Sequence, residues 1–392
     1  MTHRNAFCRV LVPYFFMYER SGRYLPHLAF LWPALAAASA SEIAGSFAQQ
    51  IIGLSSATDG APAREPEWAT PNTVALELAS MRLRDFSTAR RGMPTLVCAP
   101  YALHGAGVVD LAPGHSLVQA LRASGLSHLF VTHWRSAEPA MRLLAIDDYL
   151  AALNVAVDHL GGRADLIGLC QGGWLSLMYA ARFPSKVRKL VLVGAPIDIA
   201  AAPSGLSAIV DNTPLSLFRD LVRLGEGRVL GQAVQRFWTP ETVTDEIVRQ
   251  VLQTLEPAGG EAFAALAEHY RAWNDFTVDL PGTYYLEVIE KLYKGNELAT
   301  SQFIALGQRI DLAALRAPLY LLAARDDELI APEQLLTTRH LVGTPAHDIH
   351  TDTVEGCHLG LFLGAHNLTT VWPRIAHWLA TAPRAVASVR RH

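Results

Sequence analysis

The residues with the clearest chemical potential are Gly168-Leu169-Cys170-Gln171-Gly172-Gly173, which stand between an apolar, strand-like stretch and a helix-forming one. A cysteine at such a turn is a candidate nucleophile. Gly168, Gly172 and Gly173 let the chain reverse where side chains would collide. The turn lifts the thiol above a sheet and aims the next backbone N–H, that of Gln171, at a negative charge developing on a carbonyl oxygen. The positive end of the following helix favours a thiolate. A buried, inert cysteine would account for the glycines but not for the agreement of strand, turn and helix.

A nucleophile of this kind needs a base and an acid, and in a strand–elbow–helix architecture both follow it in the chain. A late apolar stretch, Leu319 to Ala323, leads into Arg325-Asp326-Asp327-Glu328, so either Asp326 or Asp327 fits as the acid. The last strand-like stretch, around Asp348 to Thr353, leads into Gly356-Cys357-His358-Leu359-Gly360. Glycines on both sides let His358 sit in a tight turn and reach the elbow, ahead of the competing His347, His350 and His366. A second oxyanion donor is expected from the loop Pro100 to Gly107. Its His104-Gly105-Ala106-Gly107 run fits either an oxyanion loop or a plain glycine turn, and the backbone of Ala102 or Leu103 fits the donor role instead. The element of attack limits the substrate. Cysteine attack on a thioester is nearly balanced, attack on an oxoester is uphill, and the acyl-cysteine stays activated toward an alcohol. The donor chemistry is therefore that of an acyl-CoA.

Strands are read at Thr73 to Leu83, Thr95 to Ala99, His128 to Thr132, Asp165 to Leu169 and Lys189 to Val193, with helices at Leu117 to Ala123, Ile146 to His159 and Gly172 to Phe183. Short apolar strands alternating with helices imply a mostly parallel sheet buried on both faces. The alternation stops near Ala200 and resumes at Leu319, and residues 201–312 read as helical and rich in aromatics: Phe218, Phe237, Trp238, Phe263, Tyr270, Trp273, Tyr284, Tyr285 and Tyr293. The organisation expected is an α/β-hydrolase fold: a helical N-terminal extension and linker over 1–72, a core of 73–200 and 313–392 with helices flanking the sheet, and a helical cap over 201–312.

The 392 residues are 51% hydrophobic and 18% charged, with a net charge of −3, which gives no electrostatic reason to expect nucleic acid. The basic end, Arg390-Arg391-His392, is too short to argue otherwise. Four scattered cysteines, Cys8, Cys98, Cys170 and Cys357, form neither a disulfide framework nor a zinc motif, so no metal is expected and a cytoplasmic, reducing setting fits. Residues 28–40 are apolar and end in small residues, as in a signal peptide. They start late, contain Pro33 and are too short to span a bilayer, so a packing helix is expected and not a transmembrane one.

From about Pro94 to Leu379 the chain resembles the polyhydroxyalkanoate synthases, most closely their class III catalytic subunits. The run 168–191 is similar to their lipase-like box, and Tyr101-Ala102-Leu103, Asp110-Leu111 and Ser116-Leu117-Val118 to their oxyanion region. Ile146 to Tyr149, Asn296-Glu297-Leu298 and Gly307 to Leu312 also match in kind. Asp327 to Pro332 resembles their D-x-L-V-x-P, which favours Asp327 as the acid. Gly356 to Gly360 resembles their G-H-I-G with Cys357 added. The resemblance implies growth of a polyester from 3-hydroxyacyl-CoA, with the acyl chain on Cys170, His358 as base and Asp327 either orienting His358 or helping to activate the incoming hydroxyl. It requires no cofactor beyond the CoA thioester substrate. The partners implied are a homodimer mate or second synthase subunit and the surface of a polyester granule. Residues 1–72, the stretch Met81 to Phe86 and His133-Trp134-Arg135 depart from the pattern. Intracellular depolymerases share the 279–286 and 307–312 runs and also use cysteine, so degradation is the alternative reaction. A thioesterase or esterase, and a non-catalytic granule-binding protein, are the wider alternatives.

Overall fold

The computed structural model describes residues 64–232, 235, 243–254, 256 and 260–381. Most of the expected N-terminal extension, its apolar run at 28–40, the aromatic pair Phe237 and Trp238, and the basic C-terminal end lie outside the described residues. The core is an eight-stranded sheet: β1 Thr73–Glu77, β2 Met81–Asp85, β3 Thr95–Cys98, β4 Leu129–Trp134, β5 Ala164–Leu169, β6 Val187–Val193, β7 Leu319–Ala324 and β8 Ile349–Val354. Across the sheet they lie in the order β1-β2-β4-β3-β5-β6-β7-β8. β2 runs antiparallel to both its neighbours, and every other pairing is parallel. This is the α/β-hydrolase fold.

Strand composition follows position. The central strands β3, β5 and β7 are buried along their whole length and are apolar apart from Thr95 in β3 and Asp165 in β5, which pairs with Arg188, because helices cover both sheet faces. The edge strand β8, Ile-His-Thr-Asp-Thr-Val, is half exposed. Thr73 to Leu83, which reads as one strand, is a hairpin: Leu78 N–H donates to the Met81 carbonyl at 2.8 Å. The turn carries Ala79 and Ser80, without the glycine or asparagine that would have marked it. Helix α1 (Leu117–Ala123) is capped by Ser116 Oγ, which accepts from Gln119 N–H at 2.9 Å. In α2 (Ile146–His159) the carboxylate of Asp148 accepts from Ala145 N–H at 2.7 Å, whereas Asp147 turns away to accept from Leu306 N–H at 2.8 Å. Helix α3 (Gln171–Arg182) follows β5 directly.

Between β6 and β7 the chain leaves the sheet. It builds helices α4 (Gly205–Asn212), α5 (Leu215–Leu224), α6 (Asp245–Leu252), α7 (Glu261–Asp275) and α8 (Gly282–Glu287). The last of these widens into a π-helical turn, Val288–Lys294. Phe218, Phe263, Tyr270, Trp273, Tyr284, Tyr285 and Tyr293 from these elements are buried. Tyr284 packs against Tyr149 at 4.8 Å and Tyr101 at 5.2 Å between ring centroids, stitching these helices, the cap, to α2 and the loop after β3. Each such pair adds roughly 0.5–1.5 kcal/mol to area burial. Among the described residues no helix is long and apolar enough to cross a membrane.

A buried carboxylate fastens the incoming linker. Asp110 accepts from Thr70 N–H at 2.8 Å and Thr70 Oγ at 2.7 Å, and from Ser116 Oγ beside α1. Replacing Asp110 with alanine leaves these buried donors without an acceptor. Asp110→Ala is expected to lower stability by about 2–3 kcal/mol, read as an earlier urea midpoint with an unchanged m-value.

Candidate active site

The elbow forms where β5 ends. Cys170 has φ 49° and ψ −117°, a conformation that costs a residue with a side chain on the order of 1–3 kcal/mol and persists only when its surroundings enforce it. They do. Cys170 N–H donates to the Val193 carbonyl at 2.8 Å, and its own carbonyl accepts from Gly173 N–H at 2.9 Å. A Cβ on Gly172 would lie 2.1 Å from the Cys98 carbonyl oxygen, and one on Gly168 would lie 2.6 Å from the Gly172 carbonyl oxygen. One on Gly173 would meet the Ala195 Cβ at 2.3 Å. The start of α3 is thus pressed against the end of β3, which brings the loop bearing Ala102 and Leu103 beside the elbow. Gln171 opens α3, so its amide is among the first-turn N–H groups that have no acceptor within the helix.

Asp327 and His358 arrive from the ends of β7 and β8. Asp327 Oδ2 accepts from His358 Nδ1 at 2.7 Å, while Oδ1 accepts from the N–H groups of Leu329 and Ile330, both at 2.9 Å. The carboxylate is therefore fixed on both oxygens. Asp326 differs: its N–H donates to the Gly356 carbonyl at 3.3 Å, tying the two loops together. His358 is fully buried, with Nδ1 hydrogen-bonded to Asp327 and the ring within electrostatic reach of Cys170. Burial alone would depress its pKa. The charge of Asp327 and its hydrogen bond, with the charge of a Cys170 thiolate, outweigh that and hold it well above the usual imidazole range. His347, His350 and His366 are all exposed.

Ala102 and Leu103 are buried, and the Leu103 carbonyl accepts from Val278 N–H at 2.8 Å, so the loop after β3 is anchored to the cap. His104 is packed into the same seam, 4.9 Å from the Trp273 ring, and burial depresses its pKa to about 4, leaving it neutral. Several neighbours of the site are not apparent from the sequence. Gly194, at φ +52°, follows β6, and a Cβ there would meet His358 Cε1 at 3.0 Å. Its place after an apolar strand was the available signal. Tyr293 lies on the π-helical turn, and a Cys170 charge is felt by the buried phenols of both Tyr293 and Tyr284. Such single-turn irregularities in helices are common at functional sites.

Glu328 is the remaining surprise. Its Oε2 accepts from His358 N–H at 3.3 Å. Burial, reinforced by the charge of Asp327, lifts its pKa from 4.5 to about 7. Burial and the Glu328 charge likewise push the Cys357 thiol up to about 12.

This is an α/β-hydrolase-fold chain with cysteine at the elbow, brought together with histidine and aspartate from two later loops. The chain belongs to the family described as "Protein of unknown function (DUF3141)", which matches residues 71–353. It is also similar to the poly(3-hydroxyalkanoate) polymerase subunit PhaC of Haloferax mediterranei, with 27% identity over 337 residues, 79% of this chain and 64% of that protein. The subunit of the same name from Allochromatium vinosum is 27% identical over 296 residues, covering 72% of this chain and 78% of the relative. The chain thus spans just under two thirds of the length of the first relative and more of the second. The resemblance read from the sequence is borne out by these relatives. Among solved structures, a protein of Acinetobacter baumannii with a provisional lipase name aligns at TM-score 0.50 and 12% identity over 87% of this chain and 97% of that one, which speaks to the fold alone.

Because the folded protein holds the Glu328 proton to about pH 7 and the unfolded chain releases it near 4.5, stability falls as pH rises between those values. Glu328→Gln keeps the acceptor for His358 N–H but cannot ionise. It is expected to gain a few degrees of melting temperature over the parent at pH 8 and little or nothing at pH 4, measured by calorimetry.

Proposed function

We propose that this chain is an acyltransferase that polymerises 3-hydroxyacyl-CoA into polyhydroxyalkanoate through an acyl-cysteine. The observation that carries the reading is a cysteine, not a serine, at a buried elbow within electrostatic reach of His358. Cys170 is only 4% exposed beneath the cap. Excluding water protects an acyl-enzyme that has kept the activation of its thioester.

His358 takes the Cys170 proton, and Sγ attacks the thioester carbonyl. The oxyanion is met by the Gln171 amide and an amide of Ala102 or Leu103. The C–S bond to CoA then breaks, and the CoA thiolate leaves with the proton held by His358. In the second half the 3-hydroxyl of another acyl unit gives its proton to His358 and attacks the acyl-cysteine. An oxoester forms and the Cys170 sulfur is released. Asp327 holds His358 in the tautomer that directs Nε2 at sulfur. The names of the PhaC relatives support this chemistry over a general esterase. The reading includes a polyester granule surface in the cytoplasm as the working environment, and either self-association or a second subunit.

Incubated with 3-hydroxybutyryl-CoA, alone and with a candidate second subunit, the protein is expected to release CoA while the solution turns turbid with polyester. Stoichiometric free 3-hydroxybutyrate and no polymer under either condition would replace the synthase reading with a hydrolase one. Cys170→Ala should lose at least about a thousandfold in CoA release. Asp327→Asn should lose about a hundredfold or more, and Asp326→Asn should stay within about twofold. Equal losses for the two aspartate variants would remove Asp327 from its role.

A further inference from the structure

Helix α6 of the cap ends at Leu252, and the next residue, Gln253, takes a left-handed conformation with φ 50° and ψ 35°. Glycine or asparagine ordinarily ends a helix this way, because a longer side chain is strained there. Glutamine at this position calls for a reason that lies in its side chain. The side chain enters the loop that carries His358. A Cβ on Gly356 would lie 2.5 Å from Gln253 Nε2, one on Gly364 would lie 2.3 Å from its Oε1, and one on Gly360 would lie 3.5 Å from Nε2. Three glycines spaced four residues apart thus line the space this amide fills, with Gly356 and Gly364 in close approach to it and Gly360 at ordinary contact distance. His358 lies between the first two.

Hydrogen bonding does not explain the fit. Nε2 makes one long bond to the Glu355 carbonyl at 3.5 Å, and the buried Oε1 has no hydrogen-bond partner. The seat is steric, a matter of filled volume. It is also connected to the acid. The Gly356 carbonyl that flanks Gln253 accepts from Asp326 N–H, one residue before Asp327.

We infer that Gln253 is a positioning residue: by filling the Gly356, Gly360 and Gly364 cradle it fixes the loop that holds His358 against Cys170. This rests on the pairing of Cys170 with His358 proposed above, but not on what acyl group is transferred. With the cradle empty, the loop gains freedom at both glycines beside the histidine, and the Cys170–His358 contact is made only part of the time.

The test is the pH dependence of Cys170 alkylation by iodoacetamide in the full-length protein, followed by mass spectrometry of the Cys170 peptide, alongside melting temperature and steady-state CoA release. Gln253→Ala is expected to slow alkylation at neutral pH about tenfold, to move its profile toward that of an unassisted thiol, and to lower kcat with KM little changed. Gln253→Met, which refills the volume without the amide, is expected to restore the profile and most of kcat. An alanine variant with the parental profile overturns the inference, even if its melting temperature falls. So does a methionine variant as impaired as alanine. The alkylation assay contains no acyl substrate, so free acid in place of polymer from the parent protein would count against the polymerase reading and leave this one standing.

Discussion

At residue 170 the chain passes from strand to helix within one residue, held in a backbone conformation that is unfavourable on its own. The conformation survives because the backbone of α3 is driven against that of β3, with no room for a side chain at Gly172 or Gly168. This close approach does more than present a thiol. It sets the depth of α3 against the end of β3 and leaves Gly194 under the His358 ring. The positions of His358 and Asp327 have meaning only relative to that turn.

The cap reaches each of the loops that converge there. Leu206 N–H, at the start of α4, donates to the Leu329 carbonyl in the acid loop at 3.1 Å, and Gly205 packs on the Glu328 carbonyl. Gln253 fills the histidine loop, Val278 pins the loop after β3, and Tyr293 lies near Trp174 on the elbow helix. A segment inserted in one gap of the sequence thus braces four others. The geometry around Cys170 belongs to cap and core jointly.

The sheet, the elbow turn and the placement of Cys170, the Asp326–Asp327 pair and His358 at successive strand ends were legible in the sequence, because each depends on a local pattern: an apolar run, a glycine at a fixed offset, a strand end. Choosing between Asp326 and Asp327 needed a family likeness, since two adjacent aspartates have the same composition and differ only in direction. The hairpin at Leu78 to Met81 was missed because its turn residues, Ala79 and Ser80, are not specialised for turning. Gln253, Glu328 and Tyr293 were invisible as site neighbours for a different reason. Their contacts span long sequence separations, and although Glu328 stands beside Asp327, nothing in the local pattern points its side chain at the His358 backbone.

The sheet is also completed late. β6 pairs with β5 on one side and β7 on the other, with Leu190 opposite Leu319. During synthesis Val187 to Val193, a fully apolar edge apart from its first residues, emerges long before its second neighbour. Pairing between such distant segments is slow, and an unpaired apolar edge is open to strands from other chains. The insertion that encloses the thiol therefore makes the nascent chain prone to aggregation. A chain ended within 201–312 would carry six of the eight strands and leave β6 as an unpaired apolar edge.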